Sequence, residues 1–147
     1  MTTNAAFNRE ENRLPKHILD KAIKSGNEIG WKQEDFVAVV EAARQGFIGI
    51  VGGQIQYVLT DGTCELYWLS YDPAPRRVNE NWLTYCNRTA DECIDKFNKL
   101  VASTNIEKEA LSFDFLKDKK ERGVDINKFL TFILYFNDTE TEMFNKE

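Results

Sequence analysis

The stretch Phe47-Ile-Gly-Ile-Val-Gly-Gly-Gln-Ile-Gln-Tyr-Val-Leu-Thr-Asp-Gly-Thr-Cys-Glu-Leu-Tyr-Trp-Leu-Ser-Tyr71 restricts what this chain can fold into more than any other. It is dense in β-branched and aromatic residues and is interrupted at Asp61-Gly62. That dipeptide is a strong hairpin signal, because a type I′ turn needs positive φ at both central residues. With Asp61 and Gly62 as the whole loop, Thr60 faces Thr63, Leu59 faces Cys64, Tyr57 faces Leu66 and Ile55 faces Trp68. Side chains alternate across a strand, so one face below the turn is wholly apolar. The other carries Gln54, Gln56, Val58, Glu65, Tyr67 and Leu69. A slip of one residue would carry Gln54 and Gln56 into the core, so the register is well specified.

Around this hairpin the sequence predicts helices. Leu14-Pro15 opens the first, with proline at a position where its missing N–H is harmless. Ile18, Leu19, Ala22 and Ile23 form its stripe, His17 lies on its first turn and Gly26 stops it. A second runs from Gln33 to Gln45 and buries Phe36, Val39, Val40 and Ala43 before Gly46, with Trp31 packing back as a staple. The two read as an αα-hairpin. After the loop Asp72-Pro-Ala-Pro-Arg-Arg77 comes the cleanest amphipathic pattern in the chain. Trp82, Cys86, Ala90, Cys93, Ile94, Phe97, Leu100 and Val101 recur at three- and four-residue spacing. A capping-box match at Thr89–Glu92 allows a break there. A second match, Thr104-Asn-Ile-Glu107, starts a fourth helix that buries Ile106, Ala110, Leu111 or Phe113, and Leu116. It can break at Phe113-Asp114 and stops at Gly123. Phe129 to Phe136 is apolar on both faces and is read as a central strand, with a short buried helix as the alternative. The expected fold is α+β: a small antiparallel sheet built on the hairpin, packed by about four helices. The chain of 147 residues is read as one domain, with 1–12 and 137–147 as flexible tails.

Several chemistries find no motif. Net charge is −5 with no basic cluster, which argues against direct nucleic-acid binding. No apolar run is long enough to cross a bilayer, and the N-terminus carries no apolar signal core. Three cysteines without an export signal suit reduced thiols in the cytoplasm. Cys64, Cys86, Cys93 and His17 lack metal-ligand spacing, and each cysteine falls on an apolar face, so core packing is the expectation and no metal or cofactor is predicted. Gly52-Gly53 lacks a phosphate-loop lysine and reads as a bulge or strand start. Glu65, mid-strand beside the glutamines, is the one carboxylate placed to act as acid or base, though a solvated sheet face explains it as well.

What remains is a surface. Glu65, Tyr67, Tyr71, Asp72, Glu80 and Tyr85 mix carboxylates with aromatic rings, the composition that a binding face for a basic protein would use. The pattern Gly52-Gly-Gln-Ile-Gln-Tyr-Val-Leu-Thr-Asp-Gly-Thr-Cys-Glu-Leu-Tyr-Trp68, with Glu80-Asn-Trp82 and the helix to Leu100, resembles the immunity proteins of bacterial polymorphic and contact-dependent growth-inhibition toxin systems. The likeness covers residues 14–101. It implies a cytoplasmic, non-enzymatic protein that binds a cognate toxin domain, often a basic nuclease, and occludes its active site. Two other readings stay open: a small enzyme or ligand-binding protein with a pocket around Glu65, and an adaptor that self-associates through a strand edge.

Overall fold

A computed structural model describes residues 13–137. The expected tails at 1–12 and 138–147 lie outside the described residues, whereas Asn137 is the last residue of a strand. The architecture is α+β. In chain order come α1 (Lys16–Leu19), β1 (Ile23–Ser25), β2 (Glu28–Trp31), a 3-10 turn (Gln33–Asp35), α2 (Phe36–Gln45), β3 (Gly49–Gly52), β4 (Gln54–Leu59) and β5 (Gly62–Ser70). Then follow α3 (Trp82–Ser103), α4 (Ile106–Ala110), α5 (Asp114–Glu121), a 3-10 turn (Ile126–Phe129), β6 (Leu130–Ile133) and β7 (Tyr135–Asn137). Five strands make one antiparallel sheet in the order β1-β2-β6-β4-β5, and β3 pairs with β7 in a second.

The segment read as a central strand is one. β6 lies between β2 and β4, and Thr131, Phe132 and Ile133 are all buried. At Leu134 the chain leaves the large sheet, and β7 departs to pair with β3. The reading of the first element needs correction. Only Lys16–Leu19 is helical; Ile23 begins a strand, so residues 14–45 do not form an αα-hairpin. Ser25 pairs with Glu28 around Gly26-Asn27, and Gly26 adopts φ +64. The glycine taken for a helix stop is a hairpin turn residue, since both roles demand positive φ. Trp31 belongs to β2, where its indole donates to the Ile18 carbonyl at 2.8 Å.

The central hairpin forms with a different register. Leu59 pairs with Gly62, Tyr57 with Cys64 and Ile55 with Leu66, so the loop is Thr60-Asp61 and neither residue has positive φ. Gly62 serves packing instead: a Cβ there would stand 2.9 Å from the Phe115 ring, while Lys119 binds Asp61 at 2.5 Å. The shift is two residues, which preserves facing, and Ile55, Tyr57, Leu59, Cys64 and Leu66 are all buried as expected. Below Leu66 the parity breaks. Ile55 pairs with Leu66 but Gln54 pairs with Ser70, so Tyr67, Trp68 and Leu69 bulge from the ladder. Leu69 turns inward and Trp68 turns out, opposite to the simple alternation.

One face of the sheet packs on α2 and α3. Phe36 stacks on Phe97 at 4.0 Å, and Tyr71 and Phe132 close the cluster edge-on or tilted. α3 runs unbroken through Thr89, whose hydroxyl donates to Tyr85 O at 2.8 Å and accepts from Ile50 N at 3.1 Å. Asn81 caps α3 by accepting from Thr84 N at 2.8 Å. The cap of α4 is Asn105 rather than Thr104, and the expected break before Asp114 is present. Along this arm Ala110 and Leu116 are buried, while Ile106, Leu111 and Phe113 pack as partly buried neighbours.

α2 ends in a Schellman motif: Phe47 N donates to Arg44 O at 3.1 Å and Ile48 N to Ala43 O at 2.9 Å. The left-handed position of that motif, normally glycine, is Phe47 at φ 59, because Gly46 falls one place early. Phe47 is 54% exposed, so little packing offsets the steric cost. Phe47→Gly is expected to stabilise the fold by about 1 kcal/mol, read as a higher urea midpoint at unchanged m-value.

Candidate functional site

Across the sheet, the face turned away from α2 and α3 carries a polar chain. Ser25 Oγ donates to Gln56 Oε1 at 2.7 Å, Gln56 Nε2 donates to Glu28 Oε1 at 2.7 Å, and the Tyr135 hydroxyl donates to Glu28 Oε2. Two strands, β2 and β6, separate β1 from β4 in the sheet order, so the tip of the β1–β2 hairpin reaches Gln56 by curling over this face. That accounts for a fully buried glutamine with both ends of its amide bonded. Burial, then the bond to Glu28, raise the Tyr135 pKa far above the ordinary tyrosine range. The chain is closed on itself, and its work is to hold the hairpin tip.

Glu65 and Tyr67 stand outside that cover on β5, the edge strand. Glu65 is exposed and accepts a long bond from Gln54 Nε2 at 3.3 Å. It sits on the surface, not on the floor of a pocket. Tyr67 is 71% exposed and Trp68, turned outward by the bulge, 43%. Their rings meet edge to face, 5.2 Å between centroids. Trp68 lies on Phe113, and its indole N–H donates to Glu109 Oε1 at 2.7 Å. Sequence reasoning missed Trp68 and Glu109. The first was assigned to the apolar face by alternation, and the second comes from a helix 41 residues away.

The other four expected contact residues are placed differently. Tyr71 is fully buried; its hydroxyl donates to Ile133 O at 2.6 Å, with Gln54 O at 3.0 Å, and burial drives its pKa well above the ordinary value. Tyr85 is buried too, its ring filling the space a Cβ at Gly49 would need. Neither can present a ring to a partner. Asp72 is exposed, but its Oδ1 accepts from Gly53 N at 2.9 Å and its carbonyl from Lys96 at 2.8 Å. The Gly53 amide is thereby taken; of the two expectations for Gly52-Gly53, the bulge is the one found, since Gly52 closes β3 at a register shift and Gly53 joins it to β4. Glu80 has a side chain only 6% exposed, gripped by Arg88 through Nε at 2.6 Å and Nη2 at 2.8 Å. Arg88 also donates to Ala74 O and Glu92, while Arg76 donates to Glu80 O and lies over the Trp82 ring. These contacts pin the proline-containing loop to α3.

The hydrogen bonds from Arg88 hold the Glu80 carboxyl below the usual glutamate range. A carboxyl so depressed contributes stability above its unfolded pKa, and that contribution is lost as pH falls through the folded value. Glu80→Gln is therefore expected to lower stability at neutral pH by about 2 kcal/mol and to flatten the acid limb below roughly pH 4.5, measured by urea titration at several pH values.

Cys64, Cys86 and Cys93 are buried and unpaired by disulfides. No group of three His, Cys, Asp or Glu side chains is arranged to hold a metal among the described residues. Burial raises the Cys86 thiol to about 11 and the Cys93 thiol to about 12, and raises Cys64 as well. At neutral pH all three should resist iodoacetamide in the native protein and react on unfolding, as mass spectrometry would record.

No helix among the described residues is long and apolar enough to cross a membrane. No family model, curated protein or solved structure matches the chain.

Proposed function

We propose that this chain is an immunity protein: it binds a cognate bacterial toxin domain, a basic nuclease in the favoured form, and blocks its active site by occlusion. The observation that carries the reading is the β5 bulge, which turns two consecutive aromatic side chains outward beside Glu65 on an edge strand. Such a bulge gives up ladder pairing and apolar burial of Trp68, and bulges recur where side chains are re-aimed for function. Exposed aromatic rings supply contact area, and carboxylates beside them steer a basic partner. The other polar groups of the sheet face are bonded to one another, which suits a preorganised scaffold for binding. The resemblance at Gly52–Trp68 points the same way. Of the surface first expected, Glu65, Tyr67 and Asp72 remain as exposed candidates for contact, joined by Trp68 and by the half-buried Glu109 that holds it. Binding would take place in the cytoplasm and need no cofactor.

An immunity protein should have a toxin-like domain encoded beside it; co-expression with that domain tests the reading, and the lack of such a neighbour counts against it. Host survival and a one-to-one complex on purification are the expected result. Glu65→Lys should slow association with the toxin by roughly tenfold at low salt, with the difference shrinking as salt rises. Host death and no complex with the native chain would end the immunity reading.

A further inference from the structure

The outward corner made by Tyr67 and Trp68 is built unevenly, and that asymmetry says what it can receive. Trp68 is held. Its ring lies nearly parallel to Phe113, 18° apart with centroids at 6.0 Å, and its indole N–H is bound to Glu109 at 2.7 Å. Tyr67 meets Trp68 at 89° and is, among the described residues, the most exposed of the large apolar and aromatic side chains, at 71%. The corner is thus one fixed wall and one open ring. Carboxylates stand at both ends: Glu65, two residues before Tyr67, and Glu109 at the indole nitrogen. In each, it is Oε1 that makes the bond within the chain, to Gln54 and to Trp68 respectively.

Ring faces carry negative potential and attract cations, most strongly when a carboxylate stands alongside. The strand positions sharing this side of the sheet, Thr63, Glu65, Tyr67, Gln54, Gln56, Val58, Thr131, Ile133, Ser25 and Glu28, include carboxylates and no lysine or arginine. A cation approaching the corner across these strand positions therefore meets Glu65 and no like charge from the sheet, though the exposed Lys108 adjoins Glu109 on the helix side. The shape selects among cations. A quaternary ammonium is held by rings on several sides, and here there are two at right angles with an open front. A lysine ammonium is a compact, strongly hydrated point charge. A guanidinium is planar and weakly hydrated; it can lie flat on the Tyr67 ring while its in-plane N–H groups reach a carboxylate at the rim.

We propose that the Tyr67–Trp68 corner is a receptor for an arginine side chain of the protein partner, with Tyr67 as the stacking surface and Glu65 as the carboxylate that fixes the guanidinium. The assignment rests on the inhibitor reading and adds to it the chemistry that the partner must present. It also explains why both aromatic residues face outward: alternation alone would leave a single ring, and the bulge supplies the perpendicular second wall.

The probe is a capped tetra-arginine peptide, with tetra-lysine and the neutral isostere tetra-citrulline as comparisons. The readout is the Trp68 indole N–H resonance and the backbone amides of residues 65–69 in a two-dimensional NMR titration. Saturable shifts with tetra-arginine, several-fold weaker binding of tetra-lysine and none of tetra-citrulline are expected. Tyr67→Ala and Glu65→Gln should each weaken the arginine peptide by roughly three- to tenfold, and Tyr67→Phe should restore it, because the ring and not the hydroxyl is used. Shifts that miss Trp68, that survive Tyr67→Ala or that are matched by citrulline would overturn the proposal. Failure of this inference is separable from failure of the inhibitor reading. A toxin complex that forms and is indifferent to Tyr67→Ala removes the arginine receptor and leaves inhibition standing, whereas a host unprotected by the native chain removes inhibition itself.

Discussion

Phe36, Tyr71, Phe97 and Phe132 come from four separate stretches of the chain and meet at one point, and the rest of the structure depends on that meeting. Phe36 stacks on Phe97 at 4.0 Å and so joins α2 to α3. Phe132 presents the central strand to both rings. Tyr71 enters from the end of the hairpin, and its hydroxyl reaches Ile133 O just where β6 stops. A buried tyrosine hydroxyl without a partner is expensive, so this single bond ties the exit of the hairpin to the strand that β4 and β2 both pair with. The tight approach leaves no room at Gly53, where a Cβ would stand 1.8 Å from Ile133 O.

Two polar assemblies extend this core outward, and each uses groups that a surface reading would treat as free. On one side Glu80, Arg88, Arg76 and Glu92 clamp the loop after β5 onto α3. On the other, Ser25, Gln56, Glu28 and Tyr135 clamp a hairpin tip over the sheet. Both satisfy buried hydrogen-bonding groups completely, which is the condition under which polar groups inside a protein rigidify it. Tyr57 is the exception: its hydroxyl is buried without a protein partner among the described residues, and burial moves its pKa to about 12.

With these groups engaged, Glu65, Tyr67 and Trp68 are left exposed together at the bulged edge of β5. Edge strands with exposed apolar side chains invite unwanted pairing, and charges and bulges are the usual protection. Here the bulge both interrupts the edge and leaves Tyr67 and Trp68 exposed, so the protection of the edge and the exposure of the two rings come from one distortion. A rigid platform with a few oriented aromatic groups suits inhibition by occlusion, in which affinity comes from what is already in place before the partner arrives.

The sequence by itself determined the α+β class, the facing of the central hairpin between Ile55 and Leu66, the buried stripes Phe36, Val39, Val40 and Ala43 of α2 and Cys86, Ala90, Cys93 and Phe97 of α3, and the burial of the three cysteines; the start of α2 is the exception, since Gln33–Asp35 is a 3-10 turn. Each follows from periodicity, because a side chain's facing along a helix or strand is set by local geometry. The exposed pair Glu65 and Tyr67 was legible for the same reason. Tertiary structure decided the rest. Gly26 and Gly62 exchanged the roles that local signals gave them: positive φ suits a helix stop and a hairpin alike, and a glycine can also serve a neighbour's ring. Tyr71, Glu80 and Tyr85 read as surface residues because nothing nearby in sequence announces Ile133, Arg88 or Gly49 as a partner. Trp68 was turned outward by a register break that depends on where Ser70 must meet Gln54, a contact that exists only once the sheet is assembled.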